Sequence, residues 1–182
     1  MPVDIVQHLQ NENYPPATQG KRIVWALVQP LFRFSPNFFP AWRNFLLRCL
    51  GAGIGRGVRI HPSARIMFPW NLRLADHIVI GRDANLYALA PIEIESHVLI
   101  SQGVHLCAGS HDYRRSHLPI AHRPIRIARG TWIAAEAFVA SGVTVGAGAV
   151  VSARAAVFDD VAPAALVRGN PAQVIKKLAS LE

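Results

Sequence analysis

Cysteine is nearly absent from the chain: Cys49 and Cys107 are the only two in 182 residues. They form no C-x-x-C pair and are too few for a disulfide framework. A reducing compartment is therefore expected, with each thiol acting as small buried filler. Acidic residues are also scarce, 11 against 19 Lys and Arg, which leaves a formal net charge of +8. Charged residues make up only 16% of the chain while 51% is hydrophobic, a balance that excludes disorder and suits a compact body. Long apolar runs are missing too; Ile23–Leu31 is too short to span a bilayer and Pro30 interrupts it. The N-terminus has no basic flank followed by an apolar run, so no secretory signal and a cytoplasmic location are expected. The basic residues are scattered rather than interleaved with stacking aromatics, which argues against a nucleic-acid partner. The positive surplus suits phosphate-rich small molecules instead.

Three regions follow one another. Residues 1–53 read as an irregular start (1–20) and two short amphipathic helices. The first lies near Arg22–Gln29 and ends before Pro30; the second covers about Ala41–Leu50, with Gly51 as its stop. In the second, Trp42, Phe45, Leu46, Cys49 and Leu50 recur at helical spacing, with Arg43, Asn44 and Arg48 on the other side. Such an aromatic stripe packs on the protein's own body or a neighbouring subunit, or lies peripherally on a membrane surface.

From residue 54 to 162 a period of six takes over. Ile54, Ile60, Ile66 and Leu72 are spaced by six, as are Ile80 and Leu86, then Ile94, Ile100 and Leu106, then Ile127, Ile133, Val139, Val145, Val151 and Val157. A coil of short flat strands and tight corners needs one bulky side chain inside per strand, and small residues where it turns. Three strands of six close a triangular turn, so residues eighteen apart stack, about 4.8 Å from the neighbouring coil. Small slips near 74–79 and 88–93 read as corner bulges. The large break, 112–126, rich in Arg, His and Pro, reads as an extruded loop, where function concentrates. Residues 163–182 read as a turn at Arg168-Gly169-Asn170-Pro171 and a short helix, Gln173–Leu181, with Lys176 and Lys177. The fold class is all-β: a parallel β-helix with helical N-terminal and C-terminal appendages.

The run Cys107-Ala108-Gly109-Ser110-His111-Asp112-Tyr113 puts a histidine at a strand-loop edge. A solvent-facing imidazole held by a rigid coil has the fixed position and near-neutral pKa that a general base needs. An ordinary surface histidine is the bland alternative.

The six-residue repeat, this Ser-His-Asp loop, the Gly130-Thr131-Trp132-Ile133 restart and the ending Val167-Arg168-Gly169-Asn170-Pro171 together resemble the hexapeptide-repeat acetyltransferases. The group most resembled is that of colanic acid biosynthesis, near the maltose, galactoside and nodulation-factor O-acetyltransferases. Trp42-Arg43, Gly51-Ala52-Gly53-Ile54-Gly55 and Phe68-Pro69-Trp70-Asn71-Leu72 extend the resemblance over the chain after about residue 21.

The resemblance implies a left-handed coil, a homotrimer with sites between subunits, and acetyl-CoA as acyl donor. His111 would be the base for direct transfer to a sugar hydroxyl of a saccharide or polysaccharide precursor, without an acyl-enzyme or a metal. Ala135 and Ala153 match backbone contacts to the pantetheine arm. Trp132 matches a wall of the donor tunnel, or else packs between subunits. Lys176 matches a cation near the CoA phosphates, or is simply solvated. Asn85, Asp112 and Tyr113 are the acceptor-side candidates. Where the family often has Thr-Lys-Asp, this chain has Phe158-Asp159-Asp160, so a cation is missing that Arg154 or Arg168 would have to replace.

Two other readings stand beside this one. Some hexapeptide-repeat trimers hold zinc through three histidines and hydrate carbon dioxide; His117 and His122, with His97 or His105, are the candidates here. A non-catalytic scaffold is the other, because fold does not fix function.

Overall fold

The computed structural model describes residues 3–7 and 14–179. Helix α1 spans Pro16–Arg33 and α2 spans Pro40–Cys49. Then comes a parallel β-solenoid of about six turns. Its first coil holds β1 (Gly53–Ile54), β2 (Arg59–Ile60) and β3 (Arg65–Met67). The second holds β4 (Leu72–Leu74), β5 (Val79–Ile80) and β6 (Asn85–Tyr87). The third holds β7 (Ile92–Ile94), β8 (Leu99–Ile100) and β9 (His105–Cys107). A hairpin of β10 (Ser110–His111) and β11 (Ile120–Ala121) projects next. The fourth coil resumes with β12 (Ile125–Ile127), β13 (Trp132–Ile133) and β14 (Phe138–Val139). The fifth has β15 (Thr144–Val145), β16 (Val150–Val151) and β17 (Ala156–Val157). Finally β18 (Ala165–Arg168) and β19 (Gln173–Lys177) close the stack.

Three flat faces result. The first is ordered β1-β4-β7-β12-β15, the second β19-β18-β16-β13-β8-β5-β2, and the third β17-β14-β9-β6-β3. The six-residue aliphatics become stacked inward columns. On the second face Ile60, Ile80, Ile100, Ile133, Val151 and Val167 are direct cross-strand partners. All six are almost fully buried. Each such side chain contributes about 1.5–3 kcal/mol by leaving water, so the rhythm itself supplies the core.

The repeat length differs from the expected eighteen in the lower coils. Arg59 stacks on Val79 and Val79 on Leu99, twenty residues apart; only the upper coils, such as Trp132 on Val150, keep eighteen. The first slip falls not at 74–79 but at a 3-10 turn, Pro69–Asn71, so Leu74 rather than Leu72 is the partner of Ile54. The second slip, near 88–93, lies at the same corner one coil later, and the hairpin leaves from that corner one coil later again.

The helices differ from expectation for a physical reason. First-coil N–H groups donate to the second coil, as Arg59 to Ile78 O and His61 to Ile80 O, which turns first-coil carbonyls towards the open end. Those carbonyls need donors. Arg43 Nε donates to Ile60 O at 2.7 Å, Asn44 Nδ2 to Val58 O at 2.8 Å, Trp25 Nε1 to Ile66 O at 2.9 Å, and Arg48 to Ile54 O. Arg43 and Asn44 are therefore buried, whereas Phe45 and Cys49, expected on the packed stripe, are exposed. Helix α1 also runs through Pro30, because Trp25 and Phe32 anchor it to the coil on either side of that residue. Residues 16–20, read as irregular, are its first turns, and 5–7 form a helical turn. The remainder of that N-terminal stretch, 1–2 and 8–13, lies outside the described residues.

The expected C-terminal helix is instead β19, antiparallel to β18, with Leu166 opposite Lys176. A solenoid end needs partners for its last strand, and Gln173–Lys177 supplies them; the lysines then blunt the new edge. Residues 180–182 of the expected helix lie outside the described residues.

Candidate active site

The hairpin begins where the third coil tightens. A Cβ on Gly109 would meet Leu89 Cδ2 at 2.7 Å and the Tyr87 ring at 2.8 Å, so only glycine fits the point of departure. One residue further on, β10 pairs with β11, His111 opposite Ile120. The returning leg is pinned to the next coil by Arg123 N–H donating to Ser141 Oγ at 2.8 Å.

His111 Nδ1 lies 2.8 Å from the carbonyl oxygen of Leu118, which sits in the left-handed region at φ +46°. A carbonyl can only accept, so Nδ1 carries the hydrogen and, in the neutral ring, Nε2 carries the basic lone pair. Asp112 is engaged within the turn. Its Oδ1 accepts from Arg114 N–H at 3.1 Å and its carboxylate faces Arg115 at 3.8 Å, so it shapes the turn. His111, Asp112 and Tyr113 line one cleft of about 350 Å³ with Ser110, His122 and Arg123; Tyr113 is 82% exposed.

A second cleft of about 370 Å³ lies behind the hairpin, sharing His122 with the first and lined also by Ile120, the cross-strand partner of His111. Its walls include Tyr14, Phe68 and Trp70, with Tyr14–Phe68 and Phe68–Trp70 centroids each 5.6 Å apart. Leu118, Tyr14 and the role of Trp70 carry no mark in the sequence, which suggests for His122 only a zinc ligand. Only the Phe68-Pro69-Trp70 corner had left a visible signal there.

The donor-side candidates sit elsewhere. Trp132 is on the outward side of the second face, 46% exposed, its indole N–H donating to Ser101 Oγ at 3.0 Å. Register runs from Trp132 through Val150 and Leu166 to Lys176, which places Lys176 three strands, about 14 Å, along the same column. Ala135 and Ala153 occupy equivalent corners of successive coils, where Arg154 N–H donates to Ala135 O at 2.9 Å. Arg154, a candidate replacement cation, is held at 2.6 Å by Glu136.

Asn85 lines neither hairpin cleft. It shares an outward column of the third face with His105 and Phe138. Burial holds His105 below the usual imidazole pKa, and its Nε2 is enclosed without a hydrogen-bond partner among the described residues. Burial likewise pushes the Cys107 thiol up, as suits filler rather than a nucleophile.

The hairpin leaves from the corner between the third and first faces, and the second face lies opposite. One protomer thus brings His111, Asp112 and Tyr113 together and keeps them a prism-width from Trp132 and Lys176. His97, His105, His117 and His122 are spread over a corner, a face and the hairpin. Among the described residues no group of three His, Cys, Asp or Glu side chains could hold a metal.

A three-sided coil of hexapeptide rhythm with a histidine on an extruded corner defines a class, and the comparisons agree. The acetyl-CoA complex of the hexapeptide-repeat acetyltransferase VCA0836 from Vibrio cholerae O1 biovar eltor superposes with TM-score 0.84 at 29% identity, over 96% of this chain and 98% of that one. A maltose O-acetyltransferase from Clostridium difficile 630 shares the fold with TM-score 0.84 at 21% identity, over 98% of both chains. In sequence, WcaF of Escherichia coli (strain K12), which carries the name of a colanic acid biosynthesis acetyltransferase, is 42% identical over 182 residues, 97% of this chain and 100% of WcaF. No protein-family model matches.

The protein is a hexapeptide-repeat acetyltransferase. Within that class it belongs to the family of the colanic acid biosynthesis acetyltransferase WcaF. Membership sets aside the scaffold reading.

Proposed function

We propose that the chain transfers acetyl from acetyl-CoA directly to a hydroxyl of a saccharide or polysaccharide precursor, with His111 as general base, in a homotrimer. The observation that carries the chemistry is the Nδ1 contact to Leu118 O, which leaves Nε2 as the basic atom. Nε2 takes the hydroxyl proton as the acceptor oxygen attacks the thioester carbonyl carbon. The C–S bond then breaks, and the imidazolium returns the proton to the departing sulfur, giving an O-acetyl ester and free CoA thiol. Backbone N–H groups are suited to hold the developing oxyanion.

A saccharide acceptor is supported by the aromatic cleft one strand away from His111, since Trp70 and Tyr14 offer flat apolar walls to sugar C–H faces. The name of WcaF, a relative across nearly the whole chain, points to polysaccharide biosynthesis. The trimer is supported by the separation of His111 from the Trp132–Lys176 column. A donor lying along that column can meet the imidazole of another subunit but not that of its own. Asn85 is left on the acceptor side as a polar group of the third face, and Ala135 and Ala153 as corner backbone along the donor path.

The test is acceptor-dependent thiol release from acetyl-CoA across a panel of free sugars, nucleotide-sugars and lipid-linked glycans. His111→Ala should lower the rate with the productive acceptor by about 10²–10⁴-fold while the fold and acetyl-CoA binding persist. Near-full activity in that variant would remove His111 from the mechanism.

A further inference from the structure

Helix α1 is apolar on two opposite sides. Trp25, Val28 and Phe32 face the coil, while Ile23, Leu27, Leu31 and Phe34 form an exposed stripe on the other side. The turn into α2 adds Phe38 and Phe39. Phe34 is 84% exposed, Phe38 88% and Phe39 49%; at roughly 200 Å² per ring these three alone present on the order of 400 Å² of apolar surface. Leu31, Phe34, Phe39 and Trp42 continue this surface as a groove between the helices. A second apolar side on a helix needs a second cover.

Charge indicates which cover. Residues 13–75 contain no Asp or Glu and nine Lys or Arg. Of those nine, only Arg43 is buried. Lys21 and Arg22 lie over the Trp70 and Tyr14 rings, 5.6 and 4.5 Å from their centroids, while exposed Arg33 directly precedes Phe34, with no acidic residue nearby in sequence. A second copy meeting it face to face would bring the same unrelieved positive charge to the contact, whereas an anionic lipid surface neutralises it while its acyl region accepts the rings. No helix among the described residues is long enough and apolar enough to cross a membrane, so the attachment is to one surface.

We propose that the α1–α2 face docks the enzyme on an anionic bilayer, with Phe34 and Phe38 inserted and Arg33 at the headgroups. Docking would favour membrane-held saccharide acceptors. That consequence rests on the transferase reading; the docking itself does not.

Flotation of the full chain with phosphatidylcholine vesicles, with and without phosphatidylglycerol, tests it. Anionic lipid should raise the bound fraction at least about tenfold at ~0.1 M salt, and salt near 1 M should reverse the gain. Phe34→Ser/Phe38→Ser should lose about tenfold in binding, and Arg33→Gln several-fold, with circular dichroism, oligomeric state and acetyl-CoA binding unchanged. Equal flotation on neutral and anionic vesicles, or no flotation at all, overturns the proposal. So does a shift of the Phe34→Ser/Phe38→Ser protein to a smaller oligomer, which would assign the face to a second copy.

Discussion

One edge of the prism and the face opposite it obey different rules. Along the second face the parallel register from Arg59 to Leu166 is unbroken, and each strand adds one outward side chain to a straight column, to which antiparallel β19 adds Lys176 beside a bulge at Leu166 and Val167. At the corner between the third and first faces every departure from the six-residue rhythm occurs: the Pro69–Asn71 turn, the widening near Leu89, and the hairpin bearing His111. The regular face can offer a long, shallow track to an extended donor but cannot hold a group out into solvent. The irregular edge can project and orient an imidazole but offers no track. Each half supplies what the other lacks, which is the ground for proposing a site shared by two subunits.

Variants can break or sharpen that contrast. The largest effect is expected in the shared core: Leu106→Ala, beneath both regions and fully buried, should cost about 2–5 kcal/mol by thermal or urea unfolding. Tyr113→Ala at the hairpin tip should stay within about 0.5 kcal/mol. Next come two tryptophans with opposite signatures. Trp132→Ala should raise KM for acetyl-CoA about tenfold and leave acceptor KM unchanged; Trp70→Ala should do the reverse. If either substitution moves both constants equally, the division between face and edge fails. Lys176→Ala should raise the acetyl-CoA KM only a few-fold, and the difference from wild type should shrink as salt rises.

The smallest effect is in pH dependence. Burial lowers the pKa of His105 from 6.5, so as pH falls through that value the unfolded chain takes up a proton first. Stability from this site is complete above about pH 6.5 and declines below it towards the lower folded value. His105→Gln should flatten that acid decline in melting temperature. His61, lowered chiefly by burial and then by Arg82, leaves a remainder of the same sign.

The inward columns were legible because a coil demands one aliphatic per strand, and Ile80, Ile100 and Ile133 could be placed by counting. The His111 loop was legible because it interrupts that count. Arg43 and Asn44 were not, since polar residues on a short helix read as its solvent side unless the orphaned carbonyls beneath are known. Strand β19 was missed because Val174 and Ile175 take their form from the edge they join rather than from local preference. The group orienting His111 left no trace at all, because a main-chain carbonyl such as Leu118 O is available in any residue.

The shared site is tested most directly by complementation. His111→Ala and a Trp132→Ala/Lys176→Ala variant are co-expressed with different tags, and mixed oligomers bearing both tags are assayed for acceptor-dependent thiol release at acetyl-CoA well below the wild-type KM, where both parents are impaired. If one subunit supplies the imidazole and another the donor track, mixed trimers regain activity at one site in three, roughly a third of the wild-type rate. Activity in the mixed oligomers no greater than that of the two parents would place the imidazole and the donor track within one chain and contradict the account.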